Sequence, residues 1–303
     1  MSCVTSRIQE IRQPYGGYIP LSMFTKTEFF DGNSIYLEED NLHASVTGMA
    51  VDYLTRFMLS GNVRKAFEIS IDGYFIRLSK LKKTISDETV IKSGILDHAR
   101  RPSMEEAKKY LIELDDGENS LIRLLDNIKG IDDKSIISAC KAVTYDIWYR
   151  CTPRAPYVKQ AKDTNPNEFA IQNVRSMVQR SLSFFDKVGP ITKDGFSFLE
   201  YDEDGSIKHN GYTNTVDFGD GDYLTSDTLW DIKVSKSPPR SSHTLQILMY
   251  YLMGKHSGMD IFKDITRIGI FNPRRNTMYT LNVNEIPDST IRAVENDVIC
   301  YEN

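Results

Sequence analysis

The run Asp227-Thr-Leu-Trp-Asp-Ile-Lys-Val234 constrains this chain more than any other. Its alternation fits a β-strand, where successive side chains point to opposite faces. Leu229, Asp231 and Lys233 then share one face, and Trp230, Ile232 and Val234 share the other. A carboxylate and an amine two residues apart on one face can meet at a single point. Chance alternation of this kind usually marks a solvated strand face, so the flanking residues decide whether the pair has a chemical purpose.

The chain has 303 residues, with 40% hydrophobic and 26% charged side chains. That suits a folded globule of one large domain or two ordinary ones. No apolar run approaches the roughly 20 residues that span a bilayer. The first residues lack the apolar stretch of a signal peptide, so a cytoplasmic location is the expectation. Cys3, Cys140, Cys151 and Cys300 show no C-x-x-C spacing, which points to free buried thiols rather than structural zinc. The net charge of −5 argues against coating nucleic acid with bulk positive charge. A local basic groove stays compatible with it.

Residues 44–59 predict a helix, because Val46, Met49, Ala50, Tyr53, Leu54, Phe57 and Met58 recur at helical spacing and Gly61 follows. Residues 66–78 alternate loosely and read as a strand pair turning at Asp72-Gly73. Residues 86–150 read as mainly helical, with Pro102 ahead of an acidic first turn at Glu105-Glu106. A break over residues 151–156 precedes a helix over about 167–186. From about 195 the chain changes to short strands: 196–201, a turn at Asp204-Gly205, the Gly219-Asp-Gly-Asp222 segment, and 229–234. A helix over 241–254, strands over 267–271 and 278–283 and a last helix over 288–300 complete the order. This is the pattern of an α/β or α+β core with a helical elaboration. The divisions it suggests are 1–85, a helical insertion over 86–190, and a core over 191–303.

Four elements carry the chemistry: Gly48-Met-Ala-Val-Asp52, Gly219-Asp-Gly-Asp222, Asp231-Ile-Lys233 and Gln246-Ile-Leu-Met-Tyr250. Phosphodiester hydrolysis builds charge on the attacking and leaving oxygens, and hard divalent cations stabilise it. Mg²⁺ takes a few carboxylate oxygens and keeps several waters. Asp222 and Asp231 on adjacent strands would supply two ligands, and the backbone carbonyl of Ile232 a third. Lys233 would orient the attacking water or steady charge. Gln246 and Tyr250, four apart, share a helix face. Asp217 and Asp220 compete with Asp222 for its role, and all three also read as turn residues around Gly219 and Gly221. Asp52 reads either as a ligand or as a helix-surface acid paired with Arg56 at i+4. Glu68 is a further candidate acid. His43 and His243 sit where they would cap the two motif helices. Arg274, Arg275, Lys236 and Arg240 read equally as a phosphate-contacting rim or as solvated charge.

In their order and spacing the four elements resemble the RecB-type branch of the PD-(D/E)XK nuclease superfamily. That resemblance implies a restriction-endonuclease-like core: a small mixed β-sheet flanked by helices, with a large helical insertion. It implies a Mg²⁺- or Mn²⁺-dependent deoxyribonuclease acting on single- or double-stranded DNA. Asp222, Asp231 and Lys233 would be the catalytic core, Asp52 an auxiliary metal ligand, and Gln246 and Tyr250 support near the substrate. The first element usually ends in His or Glu, and here Asp52 stands there. No P-loop is encoded, so any helicase partner is a separate chain. A binding module on the same fold and a phosphodiesterase acting on RNA are the alternatives.

Overall fold

The alternation around Asp231 does form a strand, and its two faces meet two different cores. A computed structural model describes residues 2–36, 39–83 and 117–301. The chain is mixed α/β. It divides into two units, residues 1–32 with 183–303, and residues 33–182. The first motif helix therefore belongs to the second unit, with residues 117–182 of the segment read as a helical insertion, while residues 183–190 of that segment belong to the first. The start at Pro102 and Glu105-Glu106 lies outside the described residues.

Among the described residues, the first unit holds ten strands: β1 (Ser2–Cys3), β2 (Thr25–Glu28), β3 (Lys193–Phe196), β4 (Leu199–Tyr201), β5 (Ile207–Asn210), β6 (Val216–Phe218), β7 (Gly221–Leu224), β8 (Thr228–Ile232), β9 (Arg267–Asn272) and β10 (Thr277–Asn282). Six of them make one sheet in the order β2-β10-β9-β8-β7-β3. Only β8 and β9 are parallel neighbours in it. A parallel pair needs a crossover, and the helix Ser241–Ser257 supplies it between them. The expected strand over 196–201 is two strands, because the chain leaves the main sheet after Phe196 and forms the β4–β5 hairpin around Asp204-Gly205.

On one face of the sheet, Leu224, Leu229, Ile268 and Ile270 pack with Leu245, Met249 and Leu252 of the crossover helix. On the other, Tyr223, Trp230 and Phe271 pack with Phe184 and Phe185. Phe184 stacks on Phe271 with ring centres 4.1 Å apart and meets Trp230 edge-on at 4.8 Å. The indole fits because Gly269, across from it in β9, has no side chain. A Cβ there would come within 2.2 Å of the Trp230 ring. Gly269→Ala is therefore expected to cost about 1–3 kcal/mol of stability, the usual range for overpacking. Urea unfolding checks it, and a midpoint equal to wild type would refute this packing account.

In the second unit the helix Ala44–Ser60 matches the expected one. His43 caps its start, and Gly61 ends it at a φ of 67°. The strand pair expected over 66–78 is instead the helix Glu68–Lys83. Phe67, Ser70, Tyr74 and Leu78 are all buried, at spacings of three and four that only a helix presents to one side. Asp72-Gly73 is no turn. Gly73 lets the helix approach the backbone at Tyr145, whose carbonyl oxygen would lie 2.1 Å from a Cβ. Helices also fill Leu121–Asn127, Asp133–Ala142, Asp146–Arg150 and, running on into the first unit, Glu168–Val188. Asp146 ties three of the helices together. It is buried and accepts 2.5 Å hydrogen bonds from the hydroxyls of Tyr53 and Ser70.

All four cysteines are free thiols, but only Cys140 is buried; the other three are half-exposed because they lie at helix ends or beside them. Among the described residues, no helix is long and apolar enough to cross a membrane.

Candidate active site on the β7–β8 hairpin

The β7–β8 register pairs Tyr223 with Trp230 and Leu224 with Leu229. Continuing it by one step sets Asp222 opposite Asp231, both on the face covered by the crossover helix. Two like charges directly opposite on one sheet face repel. The local hydrogen bonds show how the chain tolerates them. The Ile232 backbone N–H donates to Asp222 Oδ2 at 2.7 Å. Lys233 Nζ reaches Asp231 Oδ1 at 2.8 Å. The Lys233 backbone is itself anchored by its N–H to the Phe271 carbonyl at 2.9 Å, so β9 fixes where the ammonium starts.

One atom is left over. Asp231 is 2% exposed, and among the described residues its buried Oδ2 has no hydrogen-bond partner. A buried carboxylate oxygen without a donor is costly. Lys233 meets only Oδ1, so a cation or a hydrogen-bond donor from outside would satisfy Oδ2.

The crossover helix closes the site from above. Gln246 Nε2 donates to the Tyr250 hydroxyl at 2.8 Å. Burial holds the Tyr250 hydroxyl well above the usual phenol range, and the charges of Asp231, Asp222 and Asp220 push the same way. Tyr250 therefore stays protonated beside the carboxylates. At the start of the helix, His243 Nδ1 accepts the Arg240 backbone N–H at 3.2 Å, as a capping residue does. His243 also faces the site electrostatically. Burial first, then the charges of Lys233 and Arg240, hold it below the usual imidazole value, with Asp231 opposing them. It is neutral at pH 7, with its second nitrogen carrying the proton.

Asp217 and Asp220 are exposed on either side of Gly219, whereas Asp222 is half-buried within β7. Gly221 matters to that placement, since a Cβ on it would lie 2.0 Å from the Phe196 ring. Asp52 lies in the second unit, where its carboxylate is 3.0 Å from Arg56 Nε, the i,i+4 pair that its spacing allows. Glu68 opens the helix Glu68–Lys83 in the same unit. His43 caps its helix through Ser45, whose backbone N–H donates to Nδ1 at 3.3 Å.

Sequence reasoning missed the residue that organises the rim. Asn272, at the end of β9, donates to the Ser235 carbonyl at 2.8 Å and accepts the backbone N–H groups of Arg274 and Arg275. Arg275 adds a bond to the Lys236 carbonyl at 3.1 Å. The Asn-Pro step at 272–273 is a turn signal, but only the parallel pairing of β8 with β9 reveals what the turn holds.

The second unit has a cavity of about 910 Å³, walled by Leu42, Val46, Met49, Val143 and Ile147. None of Asp222, Asp231 and Lys233 lines it. Of the three acids in its lining, Asp40, Asp146 and Asp163, Asp146 is already engaged by Tyr53, Ser70 and Arg150.

Among the described residues, no three His, Cys, Asp or Glu side chains gather into a metal-holding group. A donor set on the hairpin is thus limited to the two carboxylates and backbone oxygen. That still fits Mg²⁺, which binds through one or two carboxylates and keeps its waters. It does not fit zinc, which wants nitrogen and sulfur ligands. No protein-family model, curated protein or solved structure gives a significant match to the chain.

Proposed function

We propose that this protein is a Mg²⁺- or Mn²⁺-dependent nuclease that hydrolyses phosphodiester bonds in DNA, built on a restriction-endonuclease-like core. The observation that carries the reading is the orphaned Oδ2 of buried Asp231, facing Asp222 and next to Lys233. The order of elements supports it: an antiparallel β7–β8 hairpin, a crossover helix bearing Gln246 and Tyr250, and parallel β9.

Asp222, Asp231 and the Ile232 carbonyl would hold the cation. When bound, it supplies Lewis acidity and lowers the pKa of its water. The residues of the chain do the rest. Lys233 places a positive charge where the attacked phosphate gathers negative charge. Gln246 holds the protonated Tyr250 hydroxyl in place on the crossover helix. His243, held below the usual imidazole value, caps the start of the crossover helix. Asp52 pairs with Arg56 in the second unit, and the proposed hairpin site does not draw on it.

The test is cleavage of single-stranded DNA, duplex DNA and RNA in Mg²⁺ and in Mn²⁺, with a chelator as the control. Metal-dependent cleavage of DNA by wild type, lost in Asp231→Asn and in Lys233→Met, is the expected pattern. Cleavage by both variants at the wild-type rate would end the assignment. Cleavage confined to RNA would keep the site and change the substrate.

A further inference from the structure

β2, β8 and β9 run in the same direction, since β8 and β9 are parallel and β10 is antiparallel to both β9 and β2. Their carboxyl ends therefore lie along one edge of the sheet, the edge where ligands settle on open α/β sheets. Lys233 leaves β8 there. Beyond it, the loop over 233–240 is fastened to the β9–β10 turn by Asn272 and Arg275. Two more segments reach the same edge. The Phe29 backbone N–H donates to the Asn276 carbonyl at 2.8 Å, which sets Phe30 beside the turn. The Gly16-Gly17 turn packs on the start of the crossover helix, where a Cβ on Gly17 would lie 2.7 Å from the Ser241 Cβ. That turn carries Tyr15.

The side chains gathered here share one character. Lys236, Arg240 and Arg275 are exposed cations. Tyr15 and Phe30, at 108% and 98% relative exposure, are the two most exposed large hydrophobic side chains described. A monomer gains nothing from holding two aromatic rings fully in water. Of the acids nearby, Glu28 is ion-paired with Lys26, and exposed Asp31 follows Phe30. The overall charge of −5 makes this basic edge a local feature.

We infer that this edge is a track for a single-stranded polynucleotide, with bases stacking on Tyr15 and Phe30 and phosphates running over Lys236, Arg240 and Arg275 to the Asp222–Asp231 pair. This rests on the nuclease reading, whose substrate it specifies. A positively charged path with interleaved aromatic rings is how proteins hold single strands without reading sequence. A duplex would leave the rings unused, because its base faces are already stacked. From β8 to β2 there are three strand steps of about 4.8 Å, so a strand of a few nucleotides would span the distance.

The experiment is fluorescence anisotropy with labelled oligo-dT, oligo-U and a DNA duplex of equal length, in chelator so that no hydrolysis occurs. Wild type is expected to bind both single strands more tightly than the duplex. Tyr15→Ala and Phe30→Ala should each weaken single-strand binding about tenfold. Lys236→Gln and Arg240→Gln should each lower the slope of log affinity against log salt by about 0.7. These side chains are exposed, so melting temperatures should not move. Preference for the duplex, or aromatic variants that bind like wild type, would overturn the track, even if metal-dependent cleavage is found. Single-strand binding that depends on Tyr15 and Phe30, from a protein that cleaves nothing, would support the track and overturn the nuclease reading.

Discussion

Asp231→Asn is expected to lower metal-dependent DNA cleavage by about 10³-fold or more while leaving the fold intact. The substitution keeps the shape of a 2%-exposed side chain and removes its charge. It takes away half of the carboxylate pair that would hold the cation. It also removes the like-charge opposition to Asp222, a modest stabilising change. Against that, Lys233 loses an anionic partner 2.8 Å away. The two effects oppose each other, so stability should stay within about 1 kcal/mol of wild type. Thermal melting beside the cleavage assay checks both halves. An inactive protein that melts with wild type places Asp231 in the chemistry. An active one, or one that is inactive because it is unfolded, removes this argument.

Lys233→Met should be the opposite kind of variant, inactive and also unstable. Lys233 is the cation that meets Asp231, and its side chain is 24% exposed while Asp231 is almost fully buried. Breaking a buried pair from one side leaves an uncompensated charge, which costs about 3 kcal/mol here, the low end of the usual range because the lysine is partly solvated. Two further results follow. Asp231→Asn together with Lys233→Met should recover most of the lost stability without recovering cleavage, a coupling that a double-mutant cycle measures. Mn²⁺ should raise the melting temperature of Lys233→Met, because a cation that binds only the folded state stabilises it. A Lys233→Met protein as stable as wild type in chelator would mean that the ion pair contributes nothing.

The central strand was legible in the sequence because β-alternation is local. Leu229 does face one core and Trp230 the other. The Ala44–Ser60 and Ser241–Ser257 helices were legible for the same reason, through spacing and glycine stops. Asp222 could be separated from Asp217 and Asp220 by its distance along the chain from Asp231, and it is the one of the three that lies in β7. Residues 66–78 misled because Phe67, Ile69 and Ile71 mimic alternation. The burial of Ser70 and the close fit of Gly73 against Tyr145, which make the segment a helix, depend on tertiary contacts. The division into units was not legible either. The sheet takes β2 from before residue 33 and all its other strands from after 183. Asn272 and the placement of Tyr15 and Phe30 on one edge follow from strand order, which no local pattern encodes.

The most direct test of the central claim is calorimetric titration of the apo protein with Mn²⁺. The account predicts a saturable site in wild type that is lost in Asp222→Ala and in Asp231→Asn, and kept in Asp52→Ala. Binding that survives in both hairpin variants, or no binding in wild type, would contradict the reading of Asp222 and Asp231 as a divalent-cation site.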